Sequence, residues 1–394
     1  MIAWDLALRR PRWMLAAHVP SSGVLAVGVL TSRRDDASRP DDAPAARVLT
    51  QGRDGSLKCW RVPRGAGDDA SVHMPRTPIW TVATGSYHFC AFAAHRDGSG
   101  DVAAVAAASA AASGVDVLRF HEGPDAPPKL HRVLIAPGDA EQGAEQGAEG
   151  EGRRLGAVMA LGFLPARDGG APALVAGYEE GTVAVWDPGL DQPHAGSNPI
   201  HDDVPETART VPLWRRRVHE DAVLSLAVDP RARGFLSGGA DGVVARSDVA
   251  RDTSDVSTTA NTATSSSISF TRVWSTKPRV PAPGTAGAGI AAVAVRGDAR
   301  VCAAGGWDGR ARAFEYAGKS GKKLASLGYH GDVVSAVAFH GDGDEDVPGD
   351  GDGDGDGDGD GSARSKFAGW LATGSRDGSI ALWPLFPRRK RTPR

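Results

Sequence analysis

One unit returns along the chain with fixed internal spacing: an apolar run ending in small residues, a tight turn built on Asp-Gly or Glu-Gly, and a second run closing on an aromatic ring. The clear copies are Val48–Trp60 (VLTQGRDGSLKCW), Leu174–Trp186 (LVAGYEEGTVAVW), Cys302–Phe314 (CAAGGWDGRARAF) and Leu371–Trp383 (LATGSRDGSIALW). In each, the acid stands six positions before the ring: Asp54 and Trp60, Glu180 and Trp186, Asp308 and Phe314, Asp377 and Trp383. A fifth copy keeps Asp241 but carries Ser247 at the aromatic position, and a weaker sixth ends GVDVLRF at Phe120 without the acid. Asp-Gly is the favoured two-residue hairpin turn because glycine accepts positive φ and the turn matches strand twist. The alternation that follows, as in Ser379-Ile380-Ala381-Leu382-Trp383, is that of a strand.

A strand-like run also precedes each turn, best seen in Val223–Pro230 and Val333–His340, each following a histidine, His219 or His330. His330, Thr373, Asp377 and Trp383 in the last copy, and His18, Thr50, Asp54 and Trp60 in the first, are the residue types of a buried hydrogen-bonded tetrad that ties the incoming loop to the inner hairpin. Buried polar groups must be satisfied, so such a chain of groups stiffens its sheet. Units of this size cannot bury a core alone. Stacked in a ring they can, and the chain is expected to be an all-β WD-repeat β-propeller with six repeats and an N-terminal partial one. The Ala-rich run 103–112 favours helix by composition, but the repeat register places a strand there.

The aromatic positions are spaced more widely than the ~40–45 residues of a WD repeat, and three low-complexity insertions explain the excess: 138–152, 252–269 and the Asp-Gly tract 341–361. A single domain is expected over 1–387, with a basic tail at 388–394. The Asp-Gly tract lacks the Glu and flanking helices of an EF-hand and the nonapeptide of a calcium roll. Gly318-Lys319-Ser320 resembles the end of a phosphate-binding loop, but Ala313 stands where its first glycine belongs. Cys59, Cys90 and Cys302 show no metal-ligand spacing. A formal net charge of -3 implies no direct nucleic-acid partner, and no apolar stretch approaches the roughly 20 residues of a membrane span. No catalytic residue, cofactor or metal is expected, and the expected location is nucleus or cytoplasm.

Several segments resemble, in order, the ASTRA-associated protein 1 family, called guanine nucleotide-binding protein subunit beta-like protein 1 in animals. They are TQGRDGSLKCW, Tyr87–Phe92 (YHFCAF), LGAVMALGF followed by VAGYEEGTVAVWD, GWDGRARAF and LATGSRDGSIALWPLFPR. The resemblance implies a seven-bladed propeller without catalysis. It also implies a scaffold, a monomer within a hetero-complex, whose partners are co-chaperones that mature phosphatidylinositol-3-kinase-related kinases or subunits of a chromatin-linked ASTRA-type complex. Two other functions compete with this one. A cullin-ligase substrate receptor is suggested by Trp307-Asp308-Gly309-Arg310, although that Trp lies in the turn rather than at the strand end. An enzyme with a central-channel site would need acids or histidines outside the tetrads. The residue before each turn acid is expected on the top rim, free for a protein partner: Arg53, Glu179, Ala240, Trp307 and Arg376. Ile2–Asp5 looks like the closing strand of an earlier repeat. Either that repeat lacks its first strands here, or six blades close the ring with a strand around Arg12–Ala17 completing the last.

Overall fold

The computed structural model describes residues 2–5, 10–19, 23–30, 46–62, 77–84, 89–98, 100–110, 113–121, 125–135, 155–166, 171–190, 211–249, 270–277, 289–340 and 369–385. Every regular element among them is a β-strand. The insertions 138–152, 252–269 and 341–361, the tail 388–394, and Tyr87 and His88 lie outside the described residues. Two compact units divide the chain, Met1–Arg217 and Val218–Arg394.

In the first unit, β1 (Ile2–Asp5) and β2 (Arg10–Met14) form an antiparallel pair. Three four-stranded meanders follow. The first is β3 (Val24–Leu30), β4 (Ala46–Gly52), β5 (Ser56–Val62) and β6 (Trp80–Ala83). The second is β7 (Ala93–Arg96), β8 (Val102–Ala108), β9 (Val115–Arg119) and β10 (Lys129–Leu134), and the third is β11 (Val158–Leu164), β12 (Ala173–Tyr178), β13 (Thr182–Trp186) and β14 (Trp214–Arg217). The second unit continues the scheme. One meander is β15 (Val223–Val228), β16 (Gly234–Gly239), β17 (Val244–Val249) and β18 (Phe270–Thr276). The next is β19 (Ile290–Val295), β20 (Val301–Gly306), β21 (Arg310–Glu315) and β22 (Lys323–Gly328), and the chain ends in a three-stranded sheet of β23 (Val334–Phe339), β24 (Trp370–Ser375) and β25 (Ile380–Pro384).

Five of these sheets have four strands and the sixth has three among the described residues, while β1 and β2 stand as the partial repeat. The strand expected around Arg12–Ala17 is β2, which bonds to Ile2–Asp5 and ends at Met14, and Leu15–Val19 is not a strand. The Ala-rich run is the strand β8, because its small side chains fill the tight space between sheets; Ala104, Ala106 and Ala107 are fully buried.

The acid-Gly turns form as the sequence predicts. Gly55, Gly181, Gly242, Gly309 and Gly378 each take positive φ between the second and third strands of their sheets, a backbone state that costs a side-chain-bearing residue free energy. In five of the six sheets the first two strands slip register at the same place, one residue into the first strand: Val24/Ala26, Val158/Ala160, Val223/Ser225, Ile290/Ala292 and Val334/Ala336. A bulge there bends the strand and re-aims the residues leading into it. The core lies between sheets. Leu49, Leu57, Trp80, Val105 and Leu118 join the first two meanders, and Val117, Val158, Tyr178 and Trp186 join the second and third. In the second unit Leu236, Trp274, Ile290 and Phe314 join its two meanders, and Val301, Ala303, Leu371 and Leu385 tie on the last sheet.

Antiparallel order gives each sheet two distinct ends. The turn end carries the acid-Gly turn and the connection to the next sheet. The opposite end carries the first-to-second and third-to-fourth connections, and insertions 252–269 (β17 to β18) and 341–361 (β23 to β24) leave there. Insertion 138–152 (β10 to β11) leaves at the turn end.

Candidate interaction surface and the staples beneath it

The first tetrad is brought together in full. Trp60 Nε1 donates to Thr50 Oγ1 at 2.9 Å, Thr50 Oγ1 lies 2.9 Å from His18 Nε2, and His18 Nδ1 faces the Asp54 carboxylate at 2.9 and 3.1 Å. An ionised carboxylate only accepts, so Nδ1 carries a proton toward it. Burial alone would raise the Asp54 carboxyl, but hydrogen bonds from Ser56 and His18 and the charge on Lys58 bring it down to about 2. This staple pins the segment before β3 to the β4–β5 hairpin, and Leu15 and Ala17 pack with Val48, Trp60 and Val62 beside it.

The last sheet uses the same residue types with one relay added. Trp383 Nε1 donates to Thr373 Oγ1 at 2.9 Å, which lies 2.7 Å from His330 Nε2. His330 Nδ1, however, meets the Ser379 hydroxyl at 2.7 Å, and Asp377 stands 4.0 Å away. The hydroxyl and amide of Ser379 and the amide of Gly331 all donate to Asp377 and hold its carboxyl well below the usual range.

A third staple, His219, Ser237 and Asp241, has distances of 2.8 Å from His219 Nε2 to the Ser237 hydroxyl and 3.1 Å from Nδ1 to Asp241. Ser237 was not read from the sequence, although it stands in the Thr50 register. Ser247 stands where the indole would be, and the Ser237 hydroxyl lies 3.4 Å from the Ala245 carbonyl, as Thr373 Oγ1 lies 3.5 Å from that of Ala381 in the last sheet. In the copy ending at Phe314 the imidazole is replaced altogether. Arg312 forks onto both Asp308 oxygens, four residues from the acid, and holds that carboxyl low against its burial. Around Trp186 the site is apolar: Ala176 takes the hydroxyl position, and Trp186 and Tyr178 are fully buried.

Above these staples lie the five turn residues. Arg53 is exposed and its guanidinium sits 4.3 Å over the ring of Phe89, itself 67% exposed. Glu179 is exposed but folds back, accepting from the Ala157 amide at 3.2 Å. Ala240 is half-buried, its amide bonded to the Ala222 carbonyl. Trp307 is not the open indole a turn position suggests: it is half-buried over Gly289, where an added Cβ would meet the ring at 2.5 Å. Arg376 has its side chain 76% exposed, with Nε 4.0 Å from the Asp332 carboxylate. Sequence reasoning missed the rings that share this end. Phe89 lies under Arg53, and Tyr329, 64% exposed, packs edge-on against His330 and Trp383. Tyr329 and Arg310 border a recess of about 280 Å³ floored by Asp308, Gly309, Gly328 and His330. The only signal for Tyr329 was its place directly before a tetrad histidine.

The acids and histidines of the staples are spent on one another. Among the described residues no group of three His, Cys, Asp or Glu is placed to hold a metal ion, and no helix is long and apolar enough to cross a membrane. Cys59, Cys90 and Cys302 are buried thiols, each pushed up to about 12 by desolvation, so none is a reactive thiolate.

No protein-family model matches the chain. The resemblance to ASTRA-associated protein 1 holds over nearly its whole length. The protein of that name from Verticillium alfalfae is 27% identical over 97% of this chain and 84% of its own, and that from Penicillium rubens is 24% identical over 98% and 90%. Guanine nucleotide-binding protein subunit beta-like protein 1 of Mus musculus is 26% identical over 59% of this chain and 51% of its own. Among solved structures, the β-propeller domain of Cps50 (Swd1) from Myceliophteria thermophila superposes with a TM-score of 0.55 at 12% identity, covering 97% of this chain and 89% of that one. Sqt1 of Chaetomium thermophilum, bound to the N-terminus of ribosomal protein L10, gives 0.50 at 15% identity over 96% and 76%. At these identities the likeness establishes the fold, a WD-repeat β-propeller, and nothing further.

Proposed function

We propose that this chain, similar along nearly its full length to proteins named ASTRA-associated protein 1, is a non-enzymatic WD-repeat scaffold that binds protein partners at the turn ends of its sheets. One observation carries the reading. Acids and histidines that elsewhere do chemistry are here consumed in staples, and above the first and last staples stand exposed Arg and aromatic side chains. Arg53 with Phe89 in the first unit, and Arg376, Arg310 and Tyr329 in the second, are of the types enriched in interface hot spots. The names of the relatives support partners in an ASTRA-type complex, and the family resemblance extends this to co-chaperones of phosphatidylinositol-3-kinase-related kinases, with a nuclear or cytoplasmic location and the chain as one copy in a hetero-complex. A solved propeller holding a ribosomal-protein peptide supports protein rather than nucleic acid or membrane as the ligand of such a fold.

The test is affinity capture from native extract, scored for kinase-maturation co-chaperones against cullin adaptors. Arg53→Ala in one unit and Arg310→Ala with Arg376→Ala in the other are expected to weaken capture of co-chaperones at least about tenfold with little change in melting temperature. Capture of cullin adaptors instead would move the protein to the ligase-receptor class. Undiminished capture by both variants would remove the turn ends from the interface.

A further inference from the structure

At the opposite end of the second unit, the described residues carry an excess of positive charge. The hairpin joining β21 to β22 runs Tyr316-Ala317-Gly318-Lys319-Ser320-Gly321-Lys322 into Lys323, and Lys319, Lys322 and Lys323 are all exposed. Exposed Arg300 joins them, since its carbonyl accepts the amides of Tyr316 and Ala317. The acids nearby are engaged by other arginines: Asp298, which also feels the Arg300 charge, by Arg296 at 2.6 and 2.9 Å, Asp248 by Arg246, and Asp229 by Arg233 at 2.9 Å. Glu315, whose carboxyl lies against Gly318, sets one negative charge against these four positive ones.

The turn is also held rigid. Gly321, at φ +58, sits where a Cβ would strike the buried ring of Trp274 at 2.5 Å. Arg246, nearly fully buried, donates to the Tyr316 carbonyl and stacks 4.3 Å from the Tyr316 ring centroid. A basic turn fixed in advance loses little conformational freedom when it binds. The Gly-Lys-Ser sequence that imitates a phosphate-binding loop thus belongs to a preformed cationic ledge.

We infer that Arg300, Lys319, Lys322 and Lys323 form a docking surface for an acidic, Asp/Glu-rich segment of a protein partner. Charge complementarity names the ligand as anionic. Polypeptide is favoured over nucleic acid because single-stranded binding relies on aromatic stacking platforms, and Tyr329, the exposed aromatic of this unit among the described residues, lies past the far end of β22. A net charge of -3 also offers little long-range pull on a phosphodiester polymer. The surface is separate from the turn-end interface proposed above, so either can fail without the other.

The experiment is fluorescence anisotropy with the full chain, titrated into a fluorescein-labelled Asp/Glu peptide of about 20 residues and, in parallel, a single-stranded oligonucleotide of equal charge. The peptide is expected to bind with an affinity that falls as salt rises. Lys319→Glu with Lys322→Glu and Lys323→Glu is expected to weaken it at least about tenfold, whereas Arg53→Ala leaves it unchanged. The milder Lys319→Ala with Lys322→Ala, checked for a wild-type melting temperature, is expected to weaken it severalfold and separates lost charge from lost folding. Absence of peptide binding, wild-type affinity in the lysine variants, or tighter binding of the oligonucleotide than of the peptide would each overturn the assignment.

Discussion

At the scale of single residues, the staples matter through the states of their polar groups. Asp54 ionises at about 2 in the fold against 3.8 for an ordinary aspartate, so its charge stabilises the native state above about pH 4, and that contribution is lost as the pH falls from there through 2. Urea midpoints measured from pH 6 to pH 2 are expected to fall more steeply for the wild type than for Asp54→Asn, which keeps an acceptor for His18 but cannot titrate. Parallel curves for the two proteins would show that the charge on Asp54 is not coupled to folding. The two indoles give a second comparison. Trp60 is 3% exposed and Trp383 is only half-buried, although both donate to a threonine hydroxyl at the same distance. Trp60→Ala is expected to cost about 3–5 kcal/mol. Trp383→Ala is expected to cost less, about 1–3 kcal/mol, because less area returns to water. Chemical denaturation of the two variants checks the order.

At the scale of the strand pair and its turn, the sequence was most informative where chemistry repeats in register. Acid-Gly turns, alternating strands and the closing aromatics follow from short-range rules, and the hairpins from Val48 to Trp60 and from Leu371 to Trp383 pair accordingly. The substitutions for a missing staple member were not legible, because each depends on what sits opposite in space. Ser379 enters as a relay because Asp377 stands 4.0 Å from His330, and Arg312 replaces an imidazole by reaching back across one turn to Asp308. Nothing in the repeat pattern marks an arginine at that position as buried. Phe89, in the connection after β6, belongs to no repeat position, so its place under Arg53 was invisible too. The Arg312–Asp308 pair carries a prediction of its own, since both side chains are 5% exposed. Arg312→Ala leaves a buried carboxylate unpaired and is expected to cost about 3–5 kcal/mol. Adding Asp308→Asn to it should restore much of the loss, and a double variant no more stable than the single one would show that the fork contributes through packing instead of charge.

At the scale of the whole molecule, each meander is too small to hold a core and shares one with a neighbour in its own unit, so the interfaces between sheets carry much of the stability. The pairing of β23 with β24 illustrates this. Its register runs from Val334 opposite Ser375 to Phe339 opposite Leu371, is fixed by alternation within the strands, and is tied to the preceding meander through Leu371 with Val301 and Ala303. The connection between them, residues 340–369, contains the Asp-Gly tract, which lies outside the described residues. Deleting 342–361 leaves residues 340, 341 and 362–369 to join the strands, ample length for a hairpin connection. Closure entropy changes only slowly with loop length, by about 0.6 kcal/mol for each halving, so the shorter connection should be slightly favourable. The deletion also removes a dense run of like charges, and with it the repulsion that run exerts on itself. The deletion variant is therefore expected to be soluble, to melt within a few degrees of the full chain, and to retain capture of its protein partner at the turn end, since β23 and β24 are joined at the opposite end. A large fall in melting temperature would assign the tract a part in the fold. Lost capture with melting unchanged would place the partner at the opposite end of the sheets.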